Sequence, residues 1–419
     1  MGAAAVLATP AAATDSALFA GATGDRAAGV QARGVQAAGD QAGSWATAVT
    51  AAPSGTEVDL GGRTLRQVVH LSLGGRQPRI HFTNEYGPSP VRLGEVWTGL
   101  RAGDGTRRPV TFGGAVSVDL PAGGTLTSDP VVDLVLAAGQ DLVISCYLPG
   151  PARVRTLNPR AYERNLVTTG NRAALPDAGP GSEIGQYLLL DGVSVRPEAP
   201  APVVVAFGDS ITCGASTRPG RNHRWPDLLA ARARAEGLAL GVLNAGISGN
   251  RLLTGPDLPL PDPAAPIPDG ARSGPAGVRR FDRDVLARPG ARAVITLLGV
   301  NDIGRMRATA DLLIAGHREI IARARAAGLL VIGGTLLPFA GSTYDGPARQ
   351  AARSRLNAWI RYGGEYDAVA DFDAAVRDPR HPSRLPARYD SGDHLHPGDE
   401  GMAALASAVP LTIFGLLSR

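Results

Sequence analysis

One hydroxyl, one carboxylate and a pair of imidazoles stand where loops must carry them. Ser210 closes the stretch Val203-Val204-Val205-Ala206-Phe207-Gly208-Asp209-Ser210, in which an apolar run enters a glycine and an acid just before the serine. A serine attacks a carbonyl only when a base takes its proton, and histidine suits that task at neutral pH. Of the seven histidines, His70 and His81 fall in strand-like runs, His223 before a helical pattern and His317 inside one. His381, His394 and His396 follow the last strand-like run. In the polar segment Asp390-Ser391-Gly392-Asp393-His394-Leu395-His396-Pro397, Asp393 precedes His396 by three residues. A tight turn at this spacing brings both side chains to one side, where a carboxylate can orient an imidazole and stabilise its cation. Each residue also has an ordinary use. Ser210 can be the N-cap of a following helix. The 390–397 segment can be a solvated loop, or His394 and His396 can hold a metal, although no further ligands stand at suitable spacing.

Negative charge developing on an attacked carbonyl oxygen needs preorganised donors. Two further stretches offer them. In Asn244-Ala245-Gly246-Ile247-Ser248-Gly249-Asn250, Gly246 can present a backbone N–H with no side chain in the way. In Gly299-Val300-Asn301-Asp302, Asn301 offers a side-chain amide. Taken singly, both read equally well as ordinary Gly and Asn turns. Ser248 is a rival nucleophile, because Gly246-Ile247-Ser248-Gly249-Asn250 approaches the G-x-S-x-G elbow but ends in Asn250. Ser210 ranks ahead of it because it directly follows the strongest strand.

These residues need a frame that brings four distant loops together. From Val203 onward, strand-like runs (203–207, 239–243, 293–298, 329–333 and 368–372) alternate with helical patterns (225–236, 278–286, 310–327, 348–362, and a last one after Gly401). That alternation predicts a parallel sheet covered by helices, with ligands bound beyond the strands' C-terminal ends. A Pro-, Gly- and Asp-rich insert from Leu252 to Gly277 reads as a cleft wall. Residues 44–195 show short alternating runs instead. Examples are Leu65/Val69/Leu71/Leu73, Ile80/Phe82, Val132/Leu134/Leu136 and Leu142/Ile144/Cys146, separated by turn signals. They predict an all-β sandwich or jelly roll, serving as a packing lid or a carbohydrate-binding module. Arg196 to Pro202 holds three prolines in seven residues and reads as a stiff linker. Residues 1–43 read as a signal-like, alanine-rich start followed by a disordered lead-in, with order beginning near Trp45.

Composition removes several classes. All 42 basic residues are arginine, so lysine Schiff bases and phosphate-loop lysines are absent. The net charge of +4, with the arginines scattered, gives no footprint for nucleic acid. The two cysteines, Cys146 and Cys213, make neither a disulfide scaffold nor a zinc set, and Cys213 reads as a packing residue. No apolar run is long enough to span a bilayer, and Leu411–Leu417 reads as a final packing helix.

Gly208-Asp209-Ser210-Ile211, the Gly246 turn, Gly299-Val300-Asn301-Asp302 and Asp393-His394-Leu395-His396 together resemble the four blocks of the SGNH, or GDSL, esterase and lipase superfamily. Ile211 stands where leucine is usual. The resemblance covers residues 203 to about 415 and implies a three-layer α/β/α hydrolase domain over 203–419. It implies Ser210 as nucleophile, His396 as base and Asp393 as the orienting acid. The Ser210 N–H, the Gly246 N–H and the Asn301 amide would form the oxyanion hole, with no metal and no cofactor. The expected activity is hydrolysis of carboxylic esters through an acyl-enzyme. The expected substrate is an acylated carbohydrate or a short-chain ester, small or polymeric, met outside the cell after export. A lipase for longer chains and an inactive glycan-binding protein are the alternatives.

Overall fold

A computed structural model describes residues 40–103, 105–256, 273–415 and 417. The signal-like start and most of the lead-in lie outside the described residues, as do residues 257–272 of the insert. The first strand, β1 (Ala42–Ala46), begins before Trp45, where the hydropathy pattern puts the onset of order. Small residues explain the difference. Gly43 lies against the Leu243 side chain, a contact that apolar counting does not register.

Up to Arg196 the described chain is strand-rich and antiparallel. The principal strands are β2 (Arg63–His70), β3 (Gly75–Thr83), β4 (Asp141–Leu148) and β5 (Leu190–Arg196). One sheet runs β1-β5-β3 and continues to Thr125–Thr127. A second is centred on the β2–β4 pair, in which Leu142 faces Val69 and Cys146 faces Leu65. The inward rows are apolar: Leu65, Val69, Ile80, Phe82, Leu142 and Ile144 are all buried. The expected Val132/Leu134/Leu136 strand is not formed. Asp133 takes a positive φ of 56° and turns the chain, leaving only Val135–Leu136 as strand.

Five parallel strands follow: β6 (Val203–Gly208), β7 (Gly241–Gly246), β8 (Ala291–Leu297), β9 (Leu330–Gly334) and β10 (Ala368–Ala370). Their spatial order is β7-β6-β8-β9-β10. β6 is apolar on both faces because it is flanked on both sides and buried throughout. Its two neighbours are the second and third strands in sequence, so the chain reverses direction of travel across the sheet here. The loops leaving β6, β7 and β8 part at this point, where open α/β sheets form their ligand crevice. Register places Gly208, Gly246 and Leu297 level with one another, so the loops after all three strands leave from one edge.

The helices are α1 (Ser210–Cys213), α2 (Trp225–Ala235), α3 (Gly277–Phe281, continued by a wide π turn over Asp282–Leu286), α4 (Val300–Met306), α5 (Ala310–Ala326), α6 (Pro347–Tyr362), α7 (Phe372–Val376) and α8 (Asp399–Ala408). The fifth strand stops two residues short of the expected Phe372. The Asp371 carboxylate accepts the Ala374 N–H and caps α7 there. Ion pairs and hydrogen bonds join the strand-rich region to the parallel sheet. Arg283 donates to Glu85 at 2.7 Å and to the Tyr86 hydroxyl at 2.8 Å. Arg288 reaches the Asp191 carbonyl at 3.0 Å, and the Val242 N–H donates to the Ser72 hydroxyl at 2.9 Å. Arg196 is the last residue of β5, and Pro197–Pro202 alone separates it from β6.

Candidate active site

Ser210 opens α1 directly beyond β6. The helix starts there because the Asp209 carboxylate accepts the Ile211 N–H at 3.0 Å, so the N-cap is Asp209, not Ser210. That leaves the Ser210 hydroxyl for another partner. Its Oγ lies 2.8 Å from His396 Nε2, across 186 residues of chain. The imidazole is set by its own turn: Nδ1 lies 2.6 Å from Asp393 Oδ2. Asp393 Oδ1 accepts the Leu395 and His396 N–H groups at 2.9 and 2.8 Å, so one carboxylate folds the loop and aims the ring. An ionised carboxylate only accepts, so Nδ1 carries the proton and Nε2 is bare toward the serine. Burial alone would raise the Asp393 carboxyl. The His396 ring and the two N–H donors outweigh it and hold the group down at about 2. Asp393 is therefore ionised at neutral pH.

His394 does not join His396 in a shared ligand set. Its Nδ1 is hydrogen-bonded to Asp390, so each ring of the pair has its own acid. Among the described residues no group of three or more His, Cys, Asp or Glu side chains is arranged to hold a metal ion. Cys213 and Cys146 are both buried and unbridged. Burial pushes the Cys213 thiol up to about 11, which leaves no thiolate at neutral pH beside Ser210.

Asn301, in the first turn of α4, is buried and brought close to the loop after β7. Its Nδ2 donates to the Asn250 carbonyl at 3.0 Å, leaving its second N–H proton uncommitted to that bond. Asp302, next to it, accepts the Leu252 and Leu253 N–H groups at 2.8 and 3.0 Å and clamps the start of the insert to α4. Gly246 does not play the part expected from the sequence. Its N–H is not presented outward but donates to the Asn244 side-chain oxygen at 2.9 Å. Glycine is required there because a Cβ would lie 2.2 Å from the Cys213 nitrogen, so α1 packs directly on this backbone. The N–H groups of Ser210 and Gly249 have no partner among the described residues, and Gly249 takes a positive φ of 77° in the turn beside Asn250. Ser248, the rival nucleophile, is in the same turn, and among the described residues no imidazole is hydrogen-bonded to it.

Arg280 went unread in the sequence. It is 2% exposed and ties the crevice together from behind. It donates to the Gly208 and Ala245 carbonyls at 2.8 Å each, to Asn250 Oδ1 at 3.0 Å and to Asp284 at 2.9 Å. Its guanidinium also lies 4.1 Å over the Phe207 ring. The only available signal was Arg280 and Asp284 at i,i+4 on a predicted helix, which ordinarily marks a solvent-facing pair.

Comparison with known proteins agrees with the sequence resemblance. Residues 206–404 match the GDSL-like Lipase/Acylhydrolase family. That C-terminal part of the chain is similar to this family, and the protein is a carboxylic ester hydrolase. Similar solved structures include a lipase/acylhydrolase from Enterococcus faecalis (20% identity, covering 51% of this chain and 96% of that one, TM-score 0.39). Another is a carbohydrate acetylesterase family member from Sinorhizobium meliloti (16% identity, 52% and 100% covered, TM-score 0.39). A third is an acetyl-xylooligosaccharide esterase mutant from Geobacillus (22% identity, 52% and 95% covered, TM-score 0.36). No curated protein matches.

Proposed function

We propose that the protein is a serine esterase that removes short acyl groups, acetyl foremost, from polar alcohols such as carbohydrates. The hydrogen-bonded series Ser210–His396–Asp393 is the observation that carries this reading. His396 Nε2 takes the Ser210 proton as Oγ attacks the ester carbonyl. Asp393 stabilises the imidazolium. The proton then passes to the leaving alcohol, and the acyl group stays on Ser210. Water, deprotonated by the same imidazole, releases the acid and restores the hydroxyl. The Ser210 N–H, the Asn301 amide and the Gly249 N–H, in place of the committed Gly246 N–H, hold the oxyanion.

The preference for polar alcohols and short acyl groups rests on the surroundings of the base. Ser391, Asp393 and His394 form a polar, exposed rim, with the Asp390 carboxylate buried beneath the His394 ring. The exposed large apolar side chains among the described residues (Val116, Val132, Val135, Leu175, Leu312 and Tyr362) belong to other segments. No described helix is long and apolar enough to cross a membrane. The test is hydrolysis of p-nitrophenyl esters from acetate to decanoate, with acetylated xylan alongside, by wild type and Ser210→Ala. Activity greatest on acetate and on xylan, and lost with Ser210, is expected. A maximum at long chains would instead make this a lipase.

A further inference from the structure

Asn301 is held in place by a residue that the sequence did not mark. Tyr344 lies in the loop between β9 and α6, 43 positions beyond Asn301, and its hydroxyl is 2.8 Å from Asn301 Oδ1 in a buried bond. Arg305 Nε donates to the same hydroxyl at 2.7 Å. The direction of each bond follows from what each atom can do. The Asn250 carbonyl only accepts, so the NH2 end of the Asn301 amide faces it and Oδ1 faces Tyr344. A guanidinium only donates, so Arg305 fills a lone pair of the phenol, and the phenol's own proton goes to Oδ1. The relay runs Arg305 to Tyr344 to Asn301, with every donor pointing the same way.

We infer that Tyr344 is a positioning residue for the oxyanion donor: it fixes the Asn301 amide and polarises it, so that the free Nδ2 proton is aimed and a stronger donor before substrate arrives. Hydrogen bonds in series strengthen one another in a buried setting. An amide that accepts at oxygen donates better at nitrogen. The loop is built to hold the phenol still. The Ser342 hydroxyl donates to the Phe339 carbonyl at 2.7 Å and accepts the Tyr344 N–H at 3.1 Å, and the Gly341 N–H donates to Asp345 at 2.9 Å. The ring packs against α4 where Gly304 leaves room for it, since a Cβ at Gly304 would lie 2.2 Å from the ring. The same loop passes the rim, where Gly341 packs against the His394 ring.

This inference rests on the proposed oxyanion role of Asn301, and the experiment separates the two. Tyr344→Phe keeps the ring on Gly304 and deletes only the hydroxyl. Rates on p-nitrophenyl acetate are taken per active site, titrated to completion with a fluorophosphonate, so unfolded protein does not count. Tyr344→Phe is expected to lower kcat about tenfold with KM within about twofold. In an Asn301→Ala background the same substitution should change kcat by less than about twofold, because the group it acts through is gone. Equal slowing in both backgrounds, or no slowing in wild type while Asn301→Ala is slow, overturns the positioning role and leaves the oxyanion reading standing. Normal turnover by Asn301→Ala overturns both.

Discussion

Replacing Arg280 with methionine is the perturbation whose size the structure fixes best. Methionine retains an unbranched apolar stem beside Phe207 and deletes the charge and every donor. Two neutral acceptors, the Ala245 carbonyl and Asn250 Oδ1, lose the guanidinium as partner, and the Gly208 carbonyl keeps only the longer bond from the Ile247 N–H at 3.2 Å. Each orphaned buried acceptor costs about 1–3 kcal/mol. Asp284 is not left bare, because Arg283 at 2.7 Å and Arg288 at 3.5 Å still face it. Burial alone would raise the Asp284 carboxyl, but the arginines hold it down at about 2, so it stays charged and keeps those two partners. The individual costs are not additive within one network, and about 3–5 kcal/mol is the expected total, in line with breaking a buried pair. Against a whole stability of about 5–15 kcal/mol that is a large share, worth roughly 10 °C in Tm. The effect should also reach the chemistry. Gly208 lies two residues before Ser210, and Asn250 carries the carbonyl that Asn301 touches, so loosening both misplaces groups by fractions of an ångström. A kcat per titrated site lower by about tenfold or more is expected. The assays are thermal and urea unfolding together with p-nitrophenyl acetate turnover. A variant within about 1 kcal/mol of wild type and equal to it in kcat would refute the view that this guanidinium holds the crevice together.

Two further outcomes follow from the charges at the site. Asp393→Asn offers an NH2 to His396 Nδ1 and favours the wrong tautomer, so kcat should fall by about 10²–10⁴ with KM little changed; near-normal turnover would remove Asp393 from the mechanism. Burial, with Asp302 nearby, pushes the Asp209 carboxyl up to about 7, and its Oδ2 has no partner among the described residues. A group raised in this way holds its proton more tightly folded than unfolded. Its contribution to stability is full below about pH 4 and is lost as the pH rises through about 7. Asp209→Asn, neutral throughout, should flatten that part of the stability–pH curve. A wild-type curve no steeper than the variant's between those limits would contradict the assignment.

The convergence of Ser210, His396 and Asp393 was legible because each residue sits in a local signal. Ser210 follows an apolar run, and Asp393 and His396 share one turn. The five parallel strands also follow from alternation, though not their order across the sheet, and β10 ends two residues early where Asp371 caps the next helix. Gly246 misled because no spacing shows that the Asn244 side chain turns back onto the N–H two residues on. Gly249, in the same turn, was equally available in the sequence, and only the hydrogen bonds separate the two. Arg280 and Tyr344 were illegible for another reason. Apart from Asp284, the hydrogen-bond partners of Arg280 lie 30 to 72 positions away, and those of the Tyr344 hydroxyl lie 39 and 43 away, so only the closed sheet brings them together. Arginine in a chain with no lysine reads as surface charge until its burial is known.

In the proposed reaction Ser210, and no other side chain, carries the acyl group. Intact-mass and peptide analysis after reaction with a fluorophosphonate measures this directly. One adduct per chain on the Ser210 peptide is predicted, absent from Ser210→Ala and formed far more slowly by His396→Ala. An adduct on Ser248, or full esterase activity in Ser210→Ala, would contradict it.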